Sequence, residues 1–158
     1  MIREILYPAL ALSVLLLPPQ QAAAQQAPVD IEANEMEIID ADKRAIFRGA
    51  VDATRNGDRI RSDEMIVDYS DVKQEDGSSK SQVSKLDANG HVTITTDKQV
   101  ITGDWAKLNV LTDNLEVGGD VKVVEGKTVL RGPKLSVDLK TKKLVMSGGR
   151  VKGSFVPK

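Results

Sequence analysis

The chain has 158 residues, one histidine and no cysteine, and its 22 lysines and arginines balance 23 aspartates and glutamates to a formal net charge of −1. Interspersed charges near neutrality argue against a nucleic-acid binder, which carries a basic patch or stripe. Without cysteine there is no disulfide framework and no thiol chemistry, so stability has to come from packing.

The N-terminus reads as an export signal. Arg3 is a minimal positive region, residues 5–17 are apolar, Pro18-Pro19-Gln20-Gln21 breaks the run, and Ala22-Ala23-Ala24 offers small residues for cleavage. The apolar run falls short of the roughly 20 residues that a transmembrane helix needs. We therefore expect residues 1–24 to be removed, with Ala24–Gln25 as the scissile bond. Residues 25–158 are expected to form one soluble domain, long enough to bury a core.

From there the pattern is strand and turn. Val29, Ile31 and Ala33 alternate with Asp30, Glu32 and Asn34, which predicts an opening strand that Met36 and Ile38 continue. Asp40-Ala41-Asp42-Lys43 reads as a turn. Ala45 and Phe47, then Val51 and Ala53, alternate with polar neighbours, and Asn56-Gly57-Asp58 predicts a tight turn. Met65, Val67 and Tyr69 follow. Val92 and Ile94, Leu108 and Val110, Leu115 and Val117, Val121 and Val123, Leu135 and Val137, and Leu144 and Met146 repeat the scheme. No stretch of residues 25–158 carries a sustained helical periodicity. Short strands separated by turn signals imply a sandwich, barrel or jelly roll.

Two phrases recur. Ile60-Arg61-Ser62-Asp63 and the alternating residues after it return from Ile101-Thr102-Gly103-Asp104 and from Leu130-Arg131-Gly132-Pro133. Phe47-Arg48-Gly49-Ala50-Val51, Ala88-Asn89-Gly90-His91-Val92, Gly119-Asp120-Val121 and Gly149-Arg150-Val151 each place a glycine two residues before a valine. The steps from Gly90 to Gly119 and from Gly119 to Gly149 are about thirty residues, a repeat-scale period. The longer first step fits an insertion at residues 73–82. Repeats that cannot bury an apolar face alone must stack, so the expected fold is all-β: an elongated, open β-jelly roll built from repeated antiparallel strand units.

Residues for catalysis are scarce. His91 lies between a turn glycine and a strand valine, a surface position, and no Ser-His-Asp arrangement is suggested. The pairs Asp40 and Asp42, and Asp58 and Asp63, read as turn residues. We expect no enzyme, no cofactor and no metal site.

The inward row is aliphatic: Ile31, Ile38, Phe47, Val51, Met65, Val67, Val92, Ile94, Leu108, Val110, Val121, Val123, Leu135 and Val137 are expected to share one interior. Such an interior suits a filled core as well as a groove for acyl chains. A chain of about a dozen methylenes, at roughly 0.8 kcal/mol each, could gain on the order of 10 kcal/mol there before ordering costs. The first strand, at 29–33, and the last, at 151–156, are expected to be edge strands. Val29, Ile31, Val151 and Phe155 are then available for head-to-tail pairing, with Pro157 limiting its extent.

The order of Val29-Asp30-Ile31-Glu32-Ala33-Asn34, then Phe47-Arg48-Gly49-Ala50-Val51, then Gly57-Asp58-Arg59-Ile60-Arg61-Ser62-Asp63 resembles the OstA-like, or LptA, family of periplasmic lipopolysaccharide-transport proteins. Asn34 and Ser62 stand where that pattern has Asp and Ala. The resemblance implies a jelly roll open at both ends whose aliphatic groove accepts lipid A acyl chains. It also implies a periplasmic bridge, with an inner-membrane LptC-like and an outer-membrane LptD-like OstA domain as partners and head-to-tail copies between them. Ala22-Ala23-Ala24 points away from an anchored relative, and a chain ending at Lys158 points away from one with a barrel. The alternative is a structural periplasmic β-repeat protein that binds protein or polysaccharide and carries no lipid.

Overall fold

The computed structural model describes residues 28–157, so the expected signal peptide lies outside the described residues. Ten strands follow one another: β1 (Asp30–Glu32), β2 (Glu35–Ile39), β3 (Arg44–Arg55), β4 (Asp58–Lys73), β5 (Ser79–Thr95), β6 (Val100–Asn109), β7 (Asn114–Glu125), β8 (Thr128–Asp138), β9 (Lys143–Ser147) and β10 (Lys152–Ser154). They form one sheet in the order β1-β3-β4-β5-β6-β7-β8-β10, with β2 also on β3 and β9 also on β8. Every pairing is antiparallel.

Three of the four recurrent glycines, Gly49, Gly90 and Gly119, do not end strands but bend them, whereas Gly149 lies in the break between β9 and β10. Arg48 pairs with Glu64 and Val51 with Ser62, so Gly49 and Ala50 oppose the single residue Asp63. Gly90 and His91 likewise oppose Asp104, and Gly119 and Asp120 oppose Pro133. Each is a β-bulge, one residue more on β3, β5 or β7 than on the partner. Both bulge residues are left-handed, with φ of 80° and 46° at Gly49 and Ala50 and 77° and 49° at Gly119 and Asp120. Aligned across the sheet, the bulges divide it into two arms that share one core. One arm runs from β2 to β9, the other from β1 to β10.

The two recurring phrases are the two sides of this corner. A Cβ on Gly90 would lie 2.4 Å from Asp63 Oδ2, and one on Gly119 would lie 2.3 Å from Asp104 Oδ2. The aspartate of one strand thus occupies the space over the glycine of the next. On the concave side the row reads Val51, Ser62, Val92, Gly103, Val121, Gly132, so valines alternate with residues that have little or no side chain.

Several expectations need correction. The opening strand is not continuous: it breaks at Asn34, whose N–H donates to Gly49 O at 3.0 Å, and β1 and β2 take different arms of β3. Val110 is buried, yet it follows β6 in a turn, where its N–H donates to Ser84 O at 2.9 Å. The segment at 73–82 is a continuation of the β4–β5 hairpin, closed by a turn at 74–78. The Asn56-Gly57 turn forms as expected, with both residues at positive φ.

Candidate functional site

Phe47, Val51, Met65, Val67, Val92, Ile94, Val110, Val121, Val123, Leu135 and Val137 are buried in a single cluster, and Ile31 and Leu108 pack against it partly buried. Ile38 departs from the expectation. It pairs with Ala45 and so lies on the inward row, yet it is 61% exposed, because β2 is an edge and nothing covers its inner face. Ala45, Ala53, Leu115 and Val117, which the alternation places in strands but which are not in the expected interior set, belong to the same cluster; so do Leu86, Ala88, Ile101 and Ala106, and Ile60 packs on it.

The corner side of this interior is filled: Met65, Val67, Val117, Val121 and Leu135 have essentially no exposed surface. The opposite rim is open. A cleft of about 260 Å³ runs between the arms, with Ala53, Ile60, Ile94 and Ile101 on one side and Leu86, Leu108, Leu115 and Val137 on the other. Its mouth carries Thr54, Arg55, Asn56, Asp58, Gln99 and Asp113. An apolar floor under a polar lip suits an amphipathic ligand. The cleft is smaller than the roughly 300–1,000 Å³ of ordinary ligand pockets, so several acyl chains would need the rim to spread.

A larger hollow of about 630 Å³ lies on the outer face, where Lys85, Asp87, Lys107, Asn109, Glu116 and Asp138 share the walls with Val145 and parts of Leu108, Leu115 and Val137. Its lining is more polar than that of the rim cleft, so a hydrocarbon chain would lie there against charged side chains.

The outer faces are laced with ion pairs. Arg44 Nε donates to Asp68 at 2.6 Å, Arg48 bridges Glu35 and Glu37 at 3.3 and 3.0 Å, and Lys134 meets Glu116 at 3.0 Å. Asp52 accepts from Arg59 and Arg61, and the hydrogen bond from Arg59 holds its carboxyl below the usual carboxylate range. His91 Nδ1 lies 2.7 Å from Asp63 Oδ2, a contact that raises the imidazole pKa. Both partners are largely exposed, so this is a surface pair in contact with water.

The two ends of the sheet are bare. At one, Met36 and Ile38 are 60% and 61% exposed; at the other, Val151, Phe155 and Val156 are 44%, 72% and 48% exposed. The edge strands are shorter than expected, β1 spanning Asp30–Glu32 and β10 Lys152–Ser154, so Val29, Val151 and Phe155 flank them. Among the described residues no group of His, Cys, Asp and Glu could hold a metal ion, and no helix is long and apolar enough to cross a membrane.

An open, corner-folded antiparallel jelly roll with an aliphatic interior and unpaired ends defines a class of OstA-like domains. The family model described as LptA/(LptD N-terminal domain) LPS transport protein matches residues 30–143, and the chain belongs to that family of lipopolysaccharide-transport proteins. A Rhizobium meliloti (strain 1021) protein, itself uncharacterised, is 27% identical over 133 residues, covering 82% of this chain and 72% of its own length. The crystal structure of LptH, the LptA-homologous periplasmic component of the Pseudomonas aeruginosa lipopolysaccharide-transport device, superposes with a TM-score of 0.67 at 16% identity. The match covers 83% of this chain and 96% of that one. At that identity the likeness bears on the fold.

Proposed function

We propose that this protein is a periplasmic carrier that holds the acyl chains of lipopolysaccharide in the interior between its two arms. It would bridge inner- and outer-membrane export components through the pairing of its bare ends with neighbouring OstA-like domains, LptC-like on one side and LptD-like on the other. The observation that carries the reading is the rim cleft, where Ile60, Ile94, Ile101, Leu108 and Leu115 face each other across an opening that reaches the shared core. Family membership supports the cargo class, and the export signal in residues 1–24 supports the compartment.

Photocrosslinking in intact cells tests it. A photoreactive residue at Leu108, on the cleft, should label lipopolysaccharide, and one at Lys107, on the outer face, should not. Equal labelling at both, or none at either, overturns the lipid carrier. Labelling of polysaccharide from Lys107 alone would instead favour the polar outer hollow, and with it a structural protein that carries no lipid. N-terminal sequencing of the exported protein should begin near Gln25, and a full-length membrane-embedded product would overturn the cleaved form.

A further inference from the structure

One row of side chains on the outer face of the β1–β10 arm is charged in an order that folding does not explain. Lys122 is directly opposite Arg131, and Arg131 is directly opposite Lys152, so three cations stand side by side on β7, β8 and β10. Like charges directly opposite each other in a sheet are destabilising. None of the three has a carboxylate within ion-pair distance among the described residues, although Arg44, Arg48, Arg59 and Arg61 all do. The same row begins at the other end of the sheet with Glu32, on the free edge of β1 and opposite Asp52. Asp30 and Glu32 are exposed and make no ion pair among the described residues.

Strand parity connects the two ends. The path β1-β3-β4-β5-β6-β7-β8-β10 has an even number of members, each antiparallel to the next, so β1 and β10 run in opposite directions. A second copy placed by translation along the sheet therefore offers its β1 to β10 as one more antiparallel partner, with the same faces in and out.

Resting on the bridging reading above, we propose that the cationic row is one half of a contact whose other half is the acidic β1 edge of a second copy, and that this charge polarity sets the direction and register of the stack. Lys152 lies opposite Glu32 of the next copy. The row then continues from three cations into two carboxylates across a joint about 4.8 Å wide. Two cationic ends, or two acidic ends, repel, so the bare edges associate head to tail only. A one-residue slip would place Lys152 against an inward-row residue of β1, which removes the attraction and turns the apolar row outward.

Charge exchange tests this on the purified protein by sedimentation velocity at about 50 mM and about 500 mM salt, where screening differs severalfold. Arg131→Glu with Lys152→Glu should weaken self-association about tenfold at low salt, and so should Asp30→Lys with Glu32→Lys. An equimolar mixture of the two variants should return to within about threefold of the original, since each restores the partner the other lost. Variants that associate like the parent, or a mixture as weak as its components, overturn the proposal. Should a variant fail to fold, the parent alone decides: its association should fall at least about threefold between the two salts, and an unchanged constant overturns the charge contact. Removing residues 151–158 separates the two readings. If that truncation abolishes association while charge exchange does nothing, edge pairing stands and the charge row falls. If the parent never associates, both fall.

Discussion

Along the corner the inward row alternates Val51, Ser62, Val92, Gly103, Val121 and Gly132, whereas along the rim Ile60, Ile94 and Ile101 face Leu86, Leu108 and Leu115 with no glycine among them. The arms converge at the corner, so a second full-sized side chain has no room; a Cβ on Gly103 would come within 2.7 Å of Val117 Cγ1. At the rim the arms diverge, and even branched side chains leave about 260 Å³ unfilled. One side is closed by backbone conformation, and the other is lined by side chains alone and stays open. Only the second can yield to a ligand without undoing the fold.

The largest effect should come from crowding the corner. Gly119→Val places a β-branched residue at a φ of 77° and a Cβ within 2.3 Å of Asp104 Oδ2. Strain and overpacking together predict a loss of about 3 kcal/mol or more in urea unfolding. Gly57→Ala, at a φ of 85° with nothing near its Cβ, should cost only about 1 kcal/mol. Equal losses at the two would mean that the contact with Asp104 contributes nothing.

Next come the packed and open parts of the interior. Leu135 has no exposed surface, and Leu135→Ala should cost about 2–5 kcal/mol. Leu108 borders the cleft and is only partly buried, so Leu108→Ala should cost less than about 2 kcal/mol while reducing lipopolysaccharide crosslinking from neighbouring rim positions. A rim substitution as costly as the core one would show that the rim is a closed core in solution.

Period-two alternation made the inward residues of β3 and β7 legible, and those of β5 after its bulge, because inward positions there keep one parity through the bulge: Ala45 and Phe47, then Val51 and Ala53. Leu86 and Ala88, on β5 before the bulge, keep that parity too but did not stand out. It hid the corner on β4, β6 and β8. There the inward row changes parity, from Ile60 and Ser62 to Met65 and Val67, and from Ile101 and Gly103 to Ala106 and Leu108. Ile60, Ile101 and Ala106 were passed over for that reason. The glycine-x-valine phrase was visible as a repeat, but its role depends on an aspartate from another strand, and strand pairing is not written in local spacing. The exposure of Ile38 was out of reach for a related reason: its alternation is that of a core residue, and only the position of β2 at an edge uncovers it.

Outside the interior, the two arms can be compared through their ion pairs. Asp52 keeps 18% of its side chain exposed and accepts from Arg59 and Arg61, which anchors the β1 arm. Its pKa is lowered by the hydrogen bond from Arg59, so its contribution is present above the ordinary carboxylate range and is lost as pH falls through the lowered value. Asp52→Asn should cost about 1 kcal/mol near neutral pH and nothing once the native carboxyl is protonated. A loss that persisted below that point would assign the effect to packing instead of charge.

The smallest effect belongs to His91, the one histidine in the chain, which stands on the outside of the corner at a φ of 47°. Its imidazole pKa is raised by the hydrogen bond and charge of Asp63. A raised histidine pKa stabilises the fold below the unfolded value of about 6.5 and ceases to do so as pH rises through the folded value. Because both side chains are in water, the change in unfolding midpoint across that range should be slight. The titration itself gives the sharper readout. The single imidazole resonance should titrate above the ordinary range in the parent and move down in Asp63→Asn. Raised salt should move it in the same direction, because an exposed pair is screened. The bulge should survive in the variant, because Gly90 stays in place and its φ of 79° suits a glycine. A variant that lost the strand pairing along with the histidine shift would show that Asp63 holds the corner by charge as well as by occupying the space over Gly90.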